Sequence, residues 1–177
     1  MDLQEYKSII EALIFSSPSP LKLKKIKNVI GDENLKKKDI EEIIEKLNKE
    51  YKQNERGFLI FNIAGGYEYR SNPEYGKYLK ELFNIKKEFR LSKSVLETLA
   101  IVAYNQPVTR IEVEMVRNVD STYVLNKLID IEMIKVVGQK DSPGRPLLYG
   151  TTSKFLEYFG LDSLSDLPEL DEIEENI

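Results

Sequence analysis

Gly57-Phe58-Leu59-Ile60-Phe61-Asn62-Ile63-Ala64-Gly65-Gly66-Tyr67-Glu68-Tyr69 is the stretch at which the pattern of the chain changes. Upstream of it apolar residues recur at helical spacing, whereas Phe58 to Ile63 is β-branched and aromatic. Gly65-Gly66 predicts a two-residue hairpin turn, with Tyr67-Glu68-Tyr69 as the returning strand. Immediately before the hairpin, Ile40, Ile43, Ile44, Leu47 and Tyr51 form the buried face of a helix, and Asp39 with Glu42 has the spacing of a capping box. Further back, Leu23, Ile26 and Ile30 make a shorter stripe ending at Gly31, with Ser19 as the expected N-cap and Pro20 at the first helical position. Residues 5–16 place Tyr6, Ile9, Ile10, Leu13 and Ile14 on the face of a first helix. After the hairpin, Pro73 opens a helix with Tyr75, Tyr78, Leu79 and Leu82 on one side. Three helices, a hairpin and a helix lead to a polar boundary, Lys86-Lys87-Glu88-Phe89-Arg90.

The order then repeats. Ser94 with Glu97 predicts the cap of a helix carrying Val95, Leu96, Leu99, Val102 and Ala103, which Gln106-Pro107 interrupts. Thr109 with Glu112 is a second capping box, opening a helix with Ile111, Met115 and Val116 as its apolar residues. Asp120-Ser121 starts a third helix, with Val124, Leu125, Leu128 and Ile129 inward. Ile134 to Val137 and Leu147 to Tyr149 read as two strands, and Ser153 opens a last helix with Phe155, Leu156 and Phe159. Three helices followed by a two-stranded ribbon is the winged-helix order. The expected fold is therefore α+β, mainly helical, with two tandem winged-helix domains over 1–88 and 89–160. Residues 161–177 carry seven acids and no Lys or Arg, and predict a mobile acidic tail.

Composition narrows the chemistry. The 177 residues contain no His, Cys or Trp. That excludes disulfides, thiol nucleophiles, zinc fingers and His-based triads. No glycine-rich dinucleotide fingerprint or Walker loop occurs, so no nucleotide, metal or other cofactor is expected. Ser19-Pro20-Leu21-Lys22 has the Ser-x-x-Lys spacing of some acyl enzymes, but the accompanying Ser-Asp-Asn and Lys-Thr-Gly elements are absent. The reading is of a protein that is not an enzyme. No apolar run is long enough to span a bilayer, and the N-terminus lacks the pattern of a secretion signal, so the cytoplasm is the expected location.

Charge bears on DNA. The formal net charge is −4, yet without residues 161–177 there are 26 basic and 23 acidic residues, a net of +3. Both third helices mix carboxylates with lysines: Glu41, Glu42, Glu45 and Glu50 in the first, Asp130 and Glu132 at the end of the second. Neither resembles a helix that reads bases. Lys22, Lys24, Lys25, Lys27 and Lys36-Lys37-Lys38, with Lys140 and Arg145 of the second ribbon, leave room for at most weak, sequence-independent contact with DNA. Ten Tyr and seven Phe point instead to interaction surfaces. The first hairpin, with Phe58, Leu59, Ile60, Phe61 and Ile63, is apolar on both faces, and either a partner or the helix over 73–83 covers the second one.

The second half carries a resemblance. Leu91-Ser92-Lys93-Ser94-Val95-Leu96-Glu97-Thr98-Leu99-Ala100-Ile101-Val102-Ala103-Tyr104-Asn105-Gln106-Pro107-Val108-Thr109-Arg110, Val119-Asp120-Ser121 and Gly144-Arg145-Pro146-Leu147-Leu148-Tyr149-Gly150-Thr151-Thr152 resemble the bacterial segregation and condensation protein B family. Ile9-Ile10-Glu11-Ala12-Leu13-Ile14-Phe15-Ser16-Ser17 and Gly65-Gly66-Tyr67-Glu68-Tyr69-Arg70 extend it to residues 5–167. Before Val119, this chain has Arg117-Asn118 where the family commonly has Arg-Gly, and Asn can still occupy a left-handed helix end. The resemblance implies an accessory subunit of a condensin-like SMC–kleisin complex, acting in chromosome condensation and partition and associated with the nucleoid. It implies a homodimer formed chiefly through the N-terminal domain, for which Phe58, Ile60, Phe61 and Tyr67 are the candidate interface residues. It also implies a kleisin segment held by the C-terminal domain, with Tyr104, Arg145, Pro146 and Tyr149 as candidate contacts. ATP hydrolysis would belong to the SMC partner. The alternative is a winged-helix transcription regulator, which the carboxylate-rich third helices disfavour.

Overall fold

The computed structural model describes residues 1–83 and 91–169. The chain divides into two compact units, Met1–Lys86 and Lys87–Ile177. The boundary expected at Lys86–Arg90 and the last eight residues of the expected tail lie outside the described residues.

In the first unit, α1 (Leu3–Ser16), α2 (Leu23–Ile30) and α3 (Lys37–Gln53) precede a ribbon of β1 (Phe58–Ile63) and β2 (Gly66–Ser71). Ile10 and Ile14 of α1, Ile26 of α2, and Ile40, Ile43, Ile44 and Leu47 of α3 meet Leu59 and Ile60 in one core. Burying such side chains contributes roughly 1.5–3 kcal/mol each before entropy is counted. Lys7 lies in this buried layer, paired with Glu50 across α1 and α3. Leu21 pairs with Tyr67 as an isolated antiparallel bridge, adding a one-residue third strand to the ribbon.

That bridge changes two expectations. Pro20 and Leu21 are held extended by it, so α2 begins at Leu23 with Lys22 as N-cap, and Ser19 caps no helix. The hairpin turn sits one residue earlier than Gly65-Gly66. Ile63 pairs with Gly66, and Ala64 (φ 52°) with Gly65 (φ 72°) supplies the two left-handed residues of a primed turn. Helix α3 likewise starts before Asp39, whose carboxylate accepts from the backbone N–H of Lys36 at 2.7 Å rather than boxing with Glu42.

The second unit repeats the order with a fuller sheet. Helix α5 (Lys93–Asn105) leads to β3 (Val108–Thr109), α6 (Arg110–Arg117), α7 (Thr122–Asp130), β4 (Ile134–Gln139), β5 (Leu147–Thr151) and α8 (Ser153–Phe159). The strand order is β3-β5-β4, so Val108–Thr109 takes the place that Leu21 holds in the first unit. The Thr109–Glu112 capping box forms as expected, and Ser121 is the N-cap residue of α7. Helix α5 begins instead at Lys93 after Ser92, because Ser94 and Glu97 face Arg117: Nη2 of Arg117 donates to Ser94 Oγ at 2.9 Å and lies 3.7 Å from Glu97.

Two further expectations are corrected. Helix α4 (Gly76–Leu82), which follows a 3₁₀ turn at Pro73–Tyr75, buries none of its residues, and Tyr78 and Leu82 are exposed. The segment after Gly160 is not tail from its first residue: Leu161 and Leu167 pack on the second core, and the Tyr104 hydroxyl donates to the Pro168 carbonyl at 2.7 Å. These two leucines flank a short 3₁₀ turn (Leu164–Asp166) and anchor it on the core.

Candidate interaction surfaces

At the end of α1, Phe15 is 80% exposed. Its ring stands edge-on to Tyr69 of β2, with centroids 6.3 Å apart. Tyr69 in turn meets Phe58 of β1 at 5.5 Å, and Phe58 meets Tyr51 of α3 at 5.3 Å. Glu11, Ala12, Phe15, Phe58 and Tyr69 line a groove of about 390 Å³. The polar atoms beneath it are ordered. Tyr51 donates its hydroxyl hydrogen to Glu11, and its oxygen lies 2.8 Å from the Tyr69 hydroxyl. A phenol has one proton, so Tyr69 donates to Tyr51 and Tyr51 to Glu11. Burial, then the bond to Glu11, pushes the Tyr51 phenol above its usual range, and burial raises Tyr69 as well. Both therefore stay neutral, and the groove presents aromatic faces over a single carboxylate.

The four hairpin residues singled out from the sequence separate here. Phe58 is exposed and belongs to the groove. Ile60 is 4% exposed and sits in the core of its own unit, while Phe61 and Tyr67 are half-buried against that core. Phe15 was not singled out. It ends the apolar run Ala12–Phe15, and its place at the end of α1 puts it outside the core.

In the second unit, Arg110, Ile111, Pro143, Gly144, Pro146, Leu147 and Tyr149 line a groove of about 380 Å³ between α6 and the β4–β5 wing. Gly144 (φ 80°) and Arg145 (φ 41°) form the tip turn, closed by Arg145 N–H donating to Ser142 at 2.9 Å. Lys140 anchors the wing to α6 through Glu112 at 2.5 Å. That bond, with those from Thr109, holds the Glu112 carboxyl down to about 2. Pro146 and Tyr149 thus meet in one groove beside exposed Arg145, although Tyr149 is only 8% exposed and also belongs to the core. Tyr104 lies in a different groove, lined also by Leu96, Ala100, Phe159 and Leu167.

Helix α6 turns most of its apolar residues away from the core. Its one buried residue is Val113, and Arg117, one turn on, follows it inward. Ile111, Met115 and Val116 face outward, with Met115 76% exposed, and Val119 and Tyr123 beyond the helix are also exposed. An i, i+4 apolar pair opposite the buried side is the arrangement of a helix that meets something besides its own core.

A family model described as segregation and condensation complex subunit ScpB matches residues 8–170. The chain belongs to the segregation and condensation protein B family. Segregation and condensation protein B of Syntrophotalea carbinolica is 43% identical over 175 residues, covering 99% of this chain and 87% of the relative. That of Symbiobacterium thermophilum is 44% identical over 165 residues, covering 93% and 74%. A crystallised dimer of the ScpB N-terminal domain complexed with a ScpA peptide is 28% identical, covers 45% of this chain and 96% of that one, and has a TM-score of 0.40. Among the described residues of this family member, no helix is long and apolar enough to cross a membrane.

Proposed function

We propose that this chain is a non-enzymatic adaptor of a condensin-like SMC–kleisin complex, acting in chromosome condensation and partition in the cytoplasm at the nucleoid. Two copies pair through the aromatic groove of the first unit. The second unit binds the kleisin subunit, a ScpA-type protein, and through it the SMC ATPase. Membership of a family of segregation and condensation complex subunits supports the complex. The observation that carries the division of labour is the outward stripe of α6 beside the Pro146–Tyr149 groove, with Phe15 and Phe58 left exposed on the other unit. Apolar side chains at this exposure are stabilised by a partner rather than by the fold.

Co-expression of the chain with the kleisin, followed by affinity capture, tests the reading. Ile111→Asp with Met115→Asp is expected to remove kleisin from the captured material while the circular dichroism melt stays near wild type. Arg145→Ala tests the wing tip. Tyr149→Phe is the suitable change at its position, because truncating a core tyrosine would cost stability regardless of binding. Full retention of kleisin by the Ile111/Met115 variant would overturn the assignment of that face.

A further inference from the structure

Seven lysines of the first unit cluster on two consecutive helices, six of them at the helix starts and Lys27 in the last turn of α2. Lys22 is the N-cap residue of α2, with Lys24, Lys25 and Lys27 following; Lys36 is the N-cap residue of α3, with Lys37 and Lys38 as its first two helical residues. The N-terminus of a helix already carries partial positive charge and is stabilised by acids, not by cations. Helix α2 has no acid in its first turn, and neither N-cap side chain accepts a hydrogen bond from its helix. The sequence therefore concentrates positive charge where helix stability alone would select against it.

The charges are also little neutralised. Six of the seven lysines are exposed and Lys27 is half-buried. Among the described residues their one ion pair is Lys38 with Glu42, at 3.7 Å. Residues 22–38 contain two acids, Asp32 and Glu33, for a local net charge of +5. Asp32 is already bonded to the Tyr6 hydroxyl and the Asn34 N–H. Downstream, the Asp39 carboxylate accepts from the Lys36 N–H. Helix α2 is about 12 Å long at 1.5 Å per residue. Lys22 to Lys27 therefore span about 7.5 Å along the axis, within one screening length of about 10 Å at 0.1 M salt, and act as one field.

The chemistry of the patch selects its ligand. Leu23, Ile26, Ile30 and Leu35 pack on the core, which leaves Val29 as the exposed apolar side chain of the stretch, too little for an apolar face that enters a lipid surface. It has no Arg, whose fork would read guanine edges, and Glu41, Glu42 and Glu45 follow on α3. Seven lysine point charges against two side chains able to read a base, Asn28 and Asn34, fit a regular array of phosphates better than a base sequence. We propose that the Lys22–Lys38 face is a weak, sequence-independent binding surface for the phosphate backbone of duplex DNA. It does not depend on the kleisin assignment, and it acts in the chain alone.

Fluorescence anisotropy of the full chain with a labelled duplex of about 30 base pairs tests this. In 50 mM salt the expected Kd is on the order of 10⁻⁵ M, with log K falling against log salt at a slope of about −3, for about three phosphates neutralised. Two unrelated duplex sequences are expected to give the same Kd within about twofold. Lys24→Glu/Lys25→Glu/Lys37→Glu is expected to lose about tenfold or more. Lys93→Glu/Lys127→Glu/Lys135→Glu makes the same net charge change on exposed lysines of the second unit, and is expected to stay within about threefold of wild type. Circular dichroism melts of both variants establish that they fold. The proposal is overturned if the second-unit variant loses as much as the first, if no binding is seen in 50 mM salt, or if anionic phosphatidylglycerol vesicles bind the same face more tightly than DNA.

Discussion

Leu21 and Tyr67 exchange both of their backbone hydrogen bonds, at 2.8 and 3.0 Å, and so tie the start of α2 to the returning strand of the first ribbon. The approach leaves no room beside Tyr67. A Cβ on Gly66 would stand 2.7 Å from the carbonyl carbon of Pro20 and 2.8 Å from its oxygen.

Gly66→Ala is therefore expected to destabilise the protein by about 2–3 kcal/mol, since the obstruction is backbone and cannot rotate away. Gly65→Ala, at a left-handed φ of 72° but with nothing within 4 Å, is expected to cost about 1 kcal/mol. Urea denaturation followed by circular dichroism separates the two. Equal effects would mean that the bridge yields.

Arg117 and Met115 make a second contrast, on opposite sides of α6. The Arg117 side chain is 8% exposed and donates to Ser94 and Ser121, at 2.9 and 3.3 Å. Arg117→Met is expected to cost about 1–3 kcal/mol by leaving those contacts unmade. Met115→Gln is expected to change stability by less than about 0.5 kcal/mol. A chemical melt with the reverse ranking would contradict the orientation of the helix.

Glu112 gives a pH dependence. Its carboxyl is depressed from 4.5 to about 2, first by Lys140 and then by Thr109. A depressed carboxylate stabilises the fold above its unfolded value, and the contribution is lost as pH falls towards the folded one. The melting temperature of the second unit is expected to drop between about pH 4.5 and 2, and Glu112→Gln is expected to flatten that drop. An identical slope in the variant would show that other carboxylates carry it.

Phe15 provides the test of self-association. It touches little of its own unit, so Phe15→Asp is expected to leave the melt within about 0.5 kcal/mol of wild type. Central aromatic contacts carry much of an interface's energy, so dimer dissociation in sedimentation equilibrium is expected to rise by about tenfold or more. A dimer that is unaffected would place the interface elsewhere.

The element order was legible in the residues because each helix carries its core stripe at helical spacing and each ribbon departs from it. The Thr109–Glu112 box, the left-handed Asn118 after α6 and the core of α3 followed from local chemistry. The capping residues of α2 and α5 did not, because Leu21 is recruited by Tyr67 and Ser94 by Arg117, partners distant in sequence. The candidate surfaces were half legible: Phe58 from a hairpin apolar on both faces, Arg145 and Pro146 from the family resemblance, but not Phe15.

Sequence alone determined that the chain is built from two similar halves without His or Cys chemistry, since those follow from residue identity and period. Tertiary structure alone decided which apolar side chains are core and which face outward. An apolar stripe states that a face avoids water, not what covers it. On α6 the inward face went to Val113 and Arg117, because Ser94, Glu97 and Ser121 converge there on the two terminal nitrogens of the guanidinium, and Ile111 and Met115 were left on the other side.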